Sequence, residues 1–509
     1  MNPYLVVGIV LGYFSILILI SVLTSRKADS QTFFTGNRKS PWYLVAFGMV
    51  STALSGVTFV SVPGEVGNSA FSYLQFIFGN IVGFWIVAAV LLPLYYRLNL
   101  VSIYTFLEQR FGYYSHKTGS FFFLISKLIG AAFRLFIVAV VLQIGFFDAF
   151  NIPFGLTVTV TICLVWVYTF KGGVKTIVWT DTLQTIFLIS AVIFTIASIT
   201  KSLEWNAATL FSQISSDSNS QIFFWDWRSG NNFFKQFIAG MFVTIVIVGM
   251  DQDMMQKNLT CKNIKEARKN MYWMSSMLVI VNILFLSLGA LLYLYAHSKG
   301  VITEHFSDPD MAGNCAIGLK YPGSSEFTCS NTDNLFPFLV FNYMPPAIGF
   351  VFILGLLAAA YASSDSALTA LTTSFCVDFL HFREDNQRMG TRKLVHIGFS
   401  FLFFIAILIF KLVNNESVIN SLFTIAGYTY GPLLGMFGFG ILTNYKANDR
   451  YVPYIAVASP VISYFIDRYS EMLFRGYKFG FELLIINGLL MFAGMYLTRI
   501  RNKAKYNLS

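Results

Sequence analysis

Thirteen stretches of mostly apolar residues recur along this chain, and they constrain its fold more than any other feature. Each is about 20 residues long, which is enough for an α-helix to cross a hydrocarbon core about 30 Å thick. The stretches lie at 3–24, 42–62, 69–96, 119–148, 153–170, 182–200, 234–254, 271–297, 346–380, 394–410, 418–443, 451–466 and 479–498. The chain is therefore predicted to be an all-α polytopic membrane protein with about 13 transmembrane helices.

The composition agrees with a surface that mostly faces lipid. Only 12% of the residues are charged, whereas a soluble globular protein carries about 25%. The longest connections, 201–233 and 298–345, are too short to form independent domains with cores of their own. The sequence contains no Walker loop and no HExxH or GxSxG motif. We therefore expect a protein that is not an enzyme.

The distribution of Lys and Arg predicts the orientation. With the N-terminus outside, the inward loops and the C-terminal tail hold 24 of the 35 basic residues, and the outward loops hold 8. This asymmetry is the positive-inside signal of a multi-pass plasma (inner) membrane protein whose C-terminus is cytoplasmic. We attribute the net charge of +10 to topology, so no nucleic-acid partner is expected. The first stretch lacks a preceding basic segment and a cleavage site, which predicts a span and not a signal peptide.

Two cysteines, Cys315 and Cys329, share the outward connection 298–345. In an oxidising compartment they would form a disulfide, and otherwise they would remain two free thiols. The sequence leaves both alternatives open.

Two of the apolar stretches carry small and polar residues at their centres, which is typical of an interrupted helix. Gly48, Ser51, Thr52, Ser55, Gly56 and Thr58 lie within 42–62, and Gly240, Thr244 and Gly249 lie within 234–254. These stretches are the second and the seventh, so each one opens a block of five. Paired broken helices at matching positions of two halves indicate an inverted-repeat transporter. The alternative is that the small residues only let neighbouring helices pack closely.

A third stretch, "GLLAAAYASSDSALTALTTSF" at 355–375, contains a cluster of hydroxyl groups. Sodium is a hard cation that prefers oxygen ligands, and hydroxyls supply them without burying a full charge. Ser363, Ser366 and Thr373 fall on one face of a helix, with Ser364 at its flank. Facing an unwound helix with free carbonyls, this face would complete a cage for Na⁺. The alternative is that these hydroxyls only bond back to carbonyls of their own helix.

Arg134 lies in the middle of the fourth span, where an arginine costs about 2.5–3.5 kcal/mol on insertion scales. It should therefore face a partner or a cavity. Either it pairs with a buried carboxylate, with Asp365 and Asp378 as the candidates, or it binds an anionic substrate through its fork of donors.

Asp181 follows Gly172 and Gly173 in a segment, 171–181, that is predicted to be an inward loop. From its position alone, a solvated loop carboxylate is the favoured interpretation, and a buried functional carboxylate is the alternative.

Four segments together resemble the sodium:solute symporter family, which includes bacterial galactose, proline and sialic acid carriers. They are "SIYTFLEQRFG" at 102–112, "GGVKTIVWTDTLQ" at 172–184, "GMDQDMMQK" at 249–257 and "ASSDSALTALTTS" at 362–374. The resemblance covers about residues 30–443 and implies a LeuT-type fold with two inverted five-helix repeats, in which Na⁺ drives alternating access.

The expected organisation follows from this resemblance. An extra N-terminal helix occupies 1–30, the first five-helix repeat 31–200 and an outward loop 201–233. The second repeat occupies 234–443 and includes the outward loop 298–345. Two C-terminal helices and a basic cytoplasmic tail occupy 444–509.

The resemblance also implies the ligands of the coupling ion. The hydroxyls of Ser363 and Ser364 and the carbonyls of Ser51, Leu54 and Ala360 would hold the main Na⁺. Some members bind a second Na⁺, for which Asp181 and Ser366 would be the ligands here. The next position is Ala367, where a hydroxyl is often found, and this departure puts the second ion in doubt.

The substrate positions favour an anion. Where sugar carriers place polar side chains, this chain has Ala53, Thr58, Leu278 and Ala426. Ser55, Thr58 and Arg134 instead resemble the trio with which sialic acid carriers hold a carboxylate, and Gln75 resembles a further contact. The expected partners are therefore Na⁺, a small organic acid such as a sialic or other sugar acid, and the bilayer, with no obligate protein partner. A neutral sugar or polyol, or a sensor that does not transport, remains the alternative.

The number of sodium ions has an energetic consequence. One Na⁺ crossing 100 mV gains about 2.3 kcal/mol, and a tenfold gradient adds about 1.4 kcal/mol. A monoanion carried with one Na⁺ moves no net charge, so about tenfold accumulation is its limit. Strong accumulation of an anion therefore requires a second Na⁺ and predicts a transport current, whereas electroneutral transport would remove the case for that ion.

Overall fold

The computed structural model describes most of the chain. The described residues are 3–25, 38–98, 100, 102–145, 147–303, 317–324, 326–382, 389–413, 418–474, 476–477 and 479–503. Within them the backbone is mainly helical, which confirms the predicted all-α class.

The helices follow one another with short connections. The first half contains α1 (Pro3–Ser25), α2 (Trp42–Ala53), α3 (Gly56–Ser69), α4 (Tyr73–Ile86), α5 (Leu92–Arg97), α6 (Thr105–Arg110), α7 (Tyr113–Gly145), α8 (Phe154–Ser202) and α9 (Ala207–Ser216). The second half contains α10 (Phe233–Gly249), α11 (Gln252–Asn258), α12 (Ile264–Ser298), α13 (Leu335–Tyr343), α14 (Pro346–Ser374), α15 (Met389–Val413), α16 (Val418–Leu442), α17 (Val452–Arg468), α18 (Ser470–Leu473) and α19 (Leu483–Leu497).

Five short strands lie in the connections. Strands β1 (Ile302–Thr303), β2 (Ile317–Lys320) and β3 (Phe327–Ser330) form an antiparallel sheet in that order. Strands β4 (Tyr445–Ala447) and β5 (Arg499–Lys503) form an antiparallel pair. Cys329 in β3 is disulfide-bonded, and Cys315, the partner proposed from the sequence, lies outside the described residues.

The two predicted interruptions are both present. Helix α2 ends at Ala53, Leu54 and Ser55 take non-helical backbone angles (ψ of 76° and 175°), and α3 begins at Gly56. Helices α10 and α11 are separated by two residues and bent by 69°. Small residues do more here than allow close packing, because the helical hydrogen-bond ladder itself is interrupted.

The prediction of a loop at 171–181 is wrong. The backbone of α8 is helical from Phe154 to Ser202, so Asp181 is a helical residue and is fully buried. A solvated loop carboxylate is therefore excluded. Each of the two glycines lowers helix stability by only about 1 kcal/mol relative to alanine, and tertiary packing can offset this loss. The buried carboxylate is tolerated because it has a lysine partner, described below.

Within the part of the chain that the structure describes, seven helices are long and apolar enough to cross a membrane. The number is eight if the bent pair α10–α11 counts as one span. Four shorter apolar helices accompany them. The total of 13 spans and the boundaries of the two repeats therefore remain predictions.

Helix α14 lies at the centre of the molecule. All residues from Gly355 to Ser374 are buried, including the seven polar residues of the hydroxyl cluster. The helix packs against α8, α7, α3 and α2, so its polar side chains face other helices and not lipid. This arrangement places the hydroxyl cluster in the interior of the protein.

Close approach of α4 and α10 depends on glycine, and this gives a stability prediction. A Cβ atom on Gly79 would lie 1.9 Å from the carbonyl oxygen of Phe237, a backbone atom that cannot move aside. We expect Gly79→Ala to destabilise the protein by about 1–3 kcal/mol, as overpacking does elsewhere. Thermal unfolding of the purified protein in detergent would measure this loss. Gly398→Ala is the control, because a Cβ there meets no atom within 4 Å, and equal stability of the two variants would contradict the packing.

Candidate functional site

The break after α2 lies directly beside α14. A Cβ atom on Gly56, the first residue of α3, would lie 3.6 Å from the Cβ of Ala360 and 3.6 Å from the carbonyl oxygen of Arg134. Helix α2 also packs against α14. The structure thus brings together the broken helix, the segment of α14 just before the hydroxyl cluster and Arg134 of α7, which come from three distant parts of the sequence.

The break leaves backbone carbonyls available. The carbonyl of Val50 accepts the last helical bond of α2, from the amide of Leu54 at 2.8 Å. No hydrogen bond to the carbonyls of Ser51 and Leu54 is found within the described residues, as expected where a helix ends. Free carbonyls in this position are suitable ligands for a hard cation.

The two serines follow Ala360, the residue of α14 that lies beside the start of α3, by three and four positions. Ser363 and Ser364 are fully buried, and their Oγ atoms donate to the carbonyl of Ala360 at 3.1 and 2.7 Å. This is the back-bonding that the alternative interpretation anticipated. It does not prevent ion binding, because a hydroxyl that donates its proton still has two lone pairs. The uncharged oxygens of this set fit Na⁺, which would be held by hydroxyls and carbonyls together.

A cavity opens beside the break. The space inside it, including the part that is open to solvent, amounts to about 770 Å³. Ser55, Thr58 and Arg134 all line it, so three of the four predicted substrate residues lie together. Most of the remaining wall is apolar, with the polar side chains of Asn80, Thr244 and Asn282 among it.

Arg134 has no carboxylate partner within the described ranges. None of the ion pairs found there includes it, and its buried Nε has no hydrogen-bond acceptor. Asp378, one of its two candidate partners, instead contacts His116 at 3.0 Å and accepts from Ser374 at 2.6 Å. The guanidinium therefore lines the cavity without a direct ion pair within the described residues, although it interacts electrostatically with the carboxylate of Asp253. An anionic solute could supply the missing direct pair.

Gln75 lies away from this cavity. Its amide nitrogen donates to the carbonyl of Asn231 at 2.9 Å, and its amide oxygen accepts from the amide of Phe224 at 3.3 Å. It thus fastens α4 to the connection after α9. Asn80, which sequence reasoning missed, is the amide side chain of α4 that lines the cavity. The two are five residues apart, so they point in different directions on the helix.

Aromatic rings separate this cavity from a second one. The ring centroids of Tyr73 and Phe76 are 5.5 Å apart, those of Phe76 and Phe423 5.0 Å, and those of Phe423 and Phe481 4.8 Å. Tyr73 and Phe423 line both cavities, and Asn231 lines the second. The solute cavity is therefore covered by aromatic side chains on the side of the connection that contains Asn231.

Asp181 belongs to a buried ion pair. Its Oδ2 accepts from the ammonium of Lys257 at 2.8 Å and from the hydroxyl of Thr52 at 3.1 Å. The ammonium also donates to Thr52 at 2.6 Å, which closes a three-membered network. The side chains of Asp181 and Lys257 are 1% and 3% exposed, so the pair is shielded from water. It joins α2 and α8 to the short helix α11.

Further ion pairs extend from this pair toward α7 and α16. Lys127 contacts Asp253 at 2.8 Å and both oxygens of Asp251 at 3.1 Å. The hydroxyl of Tyr430 donates to Asp251 at 3.0 Å. Lys257 lies 3.9 Å from Asp253, one turn earlier on α11. The second broken helix thus inserts its charged residues into the interior.

A broken helix packed against a buried helix rich in hydroxyls, with a cavity beside the break, is the arrangement of a LeuT-type secondary transporter. A family model described as the sodium:solute symporter family matches residues 33–445. The chain belongs to this family. It is a multi-pass membrane protein that couples the movement of Na⁺ to that of a small solute.

Individual relatives agree with this assignment. The sodium/sialic acid symporter NanT of Aliivibrio fischeri is 24% identical over 471 residues, covering 89% of this chain and 86% of NanT. The sodium/sialic acid symporter SiaT of Proteus mirabilis is 22% identical and covers 87% of this chain and 85% of SiaT. A solved structure of a Na⁺-coupled sialic acid symporter in a substrate-bound, outward-open state has a TM-score of 0.78 at 21% identity and covers 97% of both chains. At this identity the structural likeness supports the fold.

Proposed function

We propose that this protein carries a sialic acid or a related sugar acid, together with Na⁺, across the plasma (inner) membrane by alternating access. The observation that carries the proposal is Arg134, which lines the cavity without a carboxylate partner among the described residues. Two relatives named for sialic acid transport support the same solute class. The proposed orientation has the N-terminus outside and the C-terminus in the cytoplasm.

The proposed solute site uses charge and hydrogen bonds in separate roles. The guanidinium of Arg134 binds the carboxylate through two parallel N–H donors. The hydroxyls of Ser55 and Thr58, one on each side of the first turn of α3, donate to the same group. The apolar wall of the cavity contacts the rest of the sugar, with Asn80 and Asn282 as its polar contacts. Gln75 would act indirectly, by holding α4 in place.

In the proposed main Na⁺ site, the ion contacts the hydroxyls of Ser363 and Ser364 and the carbonyls of Ser51, Leu54 and Ala360. Bound there, Na⁺ links the broken helix to α14 and fixes the start of α3. The hydroxyls that bind the solute lie on this same segment, so sodium binding orders the solute site. Solute and sodium then raise each other's affinity by the same factor.

Uptake into proteoliposomes tests the proposal. We expect radiolabelled N-acetylneuraminate to accumulate when a sodium gradient points inward, and not when potassium replaces sodium. N-acetylmannosamine, a neutral sugar without the carboxylate, should compete poorly. Preferential uptake of a neutral sugar or polyol would contradict the anionic solute, and sodium-dependent binding without uptake would indicate a sensor.

A further inference from the structure

The ammonium of Lys257 contacts Asp181, one of the two residues for which the family resemblance suggested a second sodium ion. Asp181 and Ser366 were the expected ligands of that ion. In the structure the carboxylate of Asp181 already has a cation at 2.8 Å, contributed by the second broken helix. Helix α11 packs against α2, α8 and α14, so Lys257 lies among the helices that carry these ligands.

The oxygens for a second ion are partly present. Asp181 Oδ1 and Ser366 Oγ are buried and, within the described ranges, make no hydrogen bond. Ala367 has no hydroxyl to add, which leaves the set short by one ligand. The larger obstacle is charge, because the carboxylate of Asp181 already contacts the ammonium of Lys257 at 2.8 Å. A sodium ion a few ångströms from an ammonium in a buried site is repelled, and we estimate that its affinity falls by about 100-fold or more.

We propose that Lys257 is a built-in counter-ion that replaces the second Na⁺ and limits this transporter to one sodium ion per cycle. Only the electrical consequence rests on the proposed anionic solute. One Na⁺ with one monoanion carries no net charge, so transport is electroneutral. A tenfold sodium gradient can then accumulate the solute about tenfold at most.

The hydrogen bonds of Lys257 support this role over simple packing. Its ammonium donates to Asp181 of α8 and to Thr52 of α2. A metal cation bound at this point would contact oxygen atoms of the same two helices. A side chain 3% exposed keeps this geometry without competition from water. Lysine is attached to the chain, so its charge cannot dissociate during the cycle, whereas a bound sodium ion would leave.

Counting bound sodium tests the proposal without any solute. Purified wild-type protein should bind one ²²Na⁺ per chain at saturation, with a Hill coefficient near 1. In Lys257→Met the carboxylate of Asp181 loses its counter-ion, and we expect a second ²²Na⁺ to bind. Two ions bound to the wild type would overturn the proposal, as would a Lys257→Met variant that still binds one.

Two controls separate charge from damage to the fold. Lys257→Arg keeps the positive charge and should bind one ion. The double variant Lys257→Met/Asp181→Asn removes both charges together, avoids an unpaired buried carboxylate and should also bind one. A second ion in either control would contradict the role of the ammonium.

Electrical recording adds a readout that depends on the solute. With N-acetylneuraminate, wild-type proteoliposomes should show uptake without current, and Lys257→Met should show an inward current. If no sialic acid is transported, the proposed solute fails, while the sodium count still decides the role of Lys257.

Discussion

Replacing Arg134 by alanine is expected to weaken uptake of a sialic acid more than any other single substitution in the cavity. The variant would leave the solute carboxylate without its bidentate partner in a site shielded from water. Truncating one member of such a charge pair costs about 2–5 kcal/mol, which corresponds to about 30-fold or more in apparent affinity. The concentration dependence of labelled N-acetylneuraminate uptake would measure this change.

Arg134→Lys is the matched control for geometry. Lysine keeps the charge but presents a point donor instead of a planar fork, so we expect an intermediate affinity. The thermal stability of Arg134→Ala should not fall, because Arg134 forms no ion pair within the described ranges. Unchanged uptake in Arg134→Ala would contradict the proposal of an anionic solute and would favour a neutral sugar as the solute.

Replacing Ser364 by alanine is expected to raise the sodium concentration needed for half-maximal uptake at least about tenfold. Loss of an indirect contact already costs 10–100-fold in affinity at metal sites, and Ser364 is proposed as a direct ligand. Uptake measured over a range of sodium concentrations at constant ionic strength gives this value directly.

The control for Ser364→Ala is Thr195→Ala in α8. Thr195 is also fully buried, and its hydroxyl donates to the carbonyl of Ala191 at 2.8 Å, the same back-bond that Ser364 makes. If the hydroxyls of α14 only pack and back-bond, both variants should behave alike. Equal sodium dependence in the two variants would therefore refute the proposed ligand.

The two broken helices and the unusual position of Arg134 were predictable from sequence because their signals are local. Glycine and hydroxyl residues within 48–58 mark a helix that is interrupted, and the structure has its break at Leu54 and Ser55. Arg134 was recognisable as unusual because a charge at mid-span is costly wherever the chain folds. Each of these inferences needed only one segment.

Features that depend on distant segments could not be predicted in the same way. The partner of Asp181 is Lys257, which lies 76 residues later and on another helix. No local pattern links the two. When that partner is not known, a carboxylate is expected in a solvated loop, because burying an unpaired charge in a helix costs more free energy.

The polar lining of α4 was missed for a related reason. Ala70, before this helix, has a positive φ of 52°, so the chain turns there before α4 begins at Tyr73. The direction of every side chain in α4 depends on that turn, which the apolar pattern of 69–96 does not specify. Asn80 thus lines the cavity, while Gln75 contacts the connection that contains Phe224 and Asn231.

The central claim is that a sodium ion binds between the two serine hydroxyls of α14 and the carbonyls freed where α2 ends. The most direct measurement is a high-resolution structure determined in sodium with N-acetylneuraminate, paired with one in which potassium replaces sodium. We expect a density peak in contact with Ser363, Ser364 and the carbonyls of Ser51, Leu54 and Ala360 in the sodium structure alone. A sodium structure with no ion at these oxygens, or with one only beside Asp181, would contradict the claim.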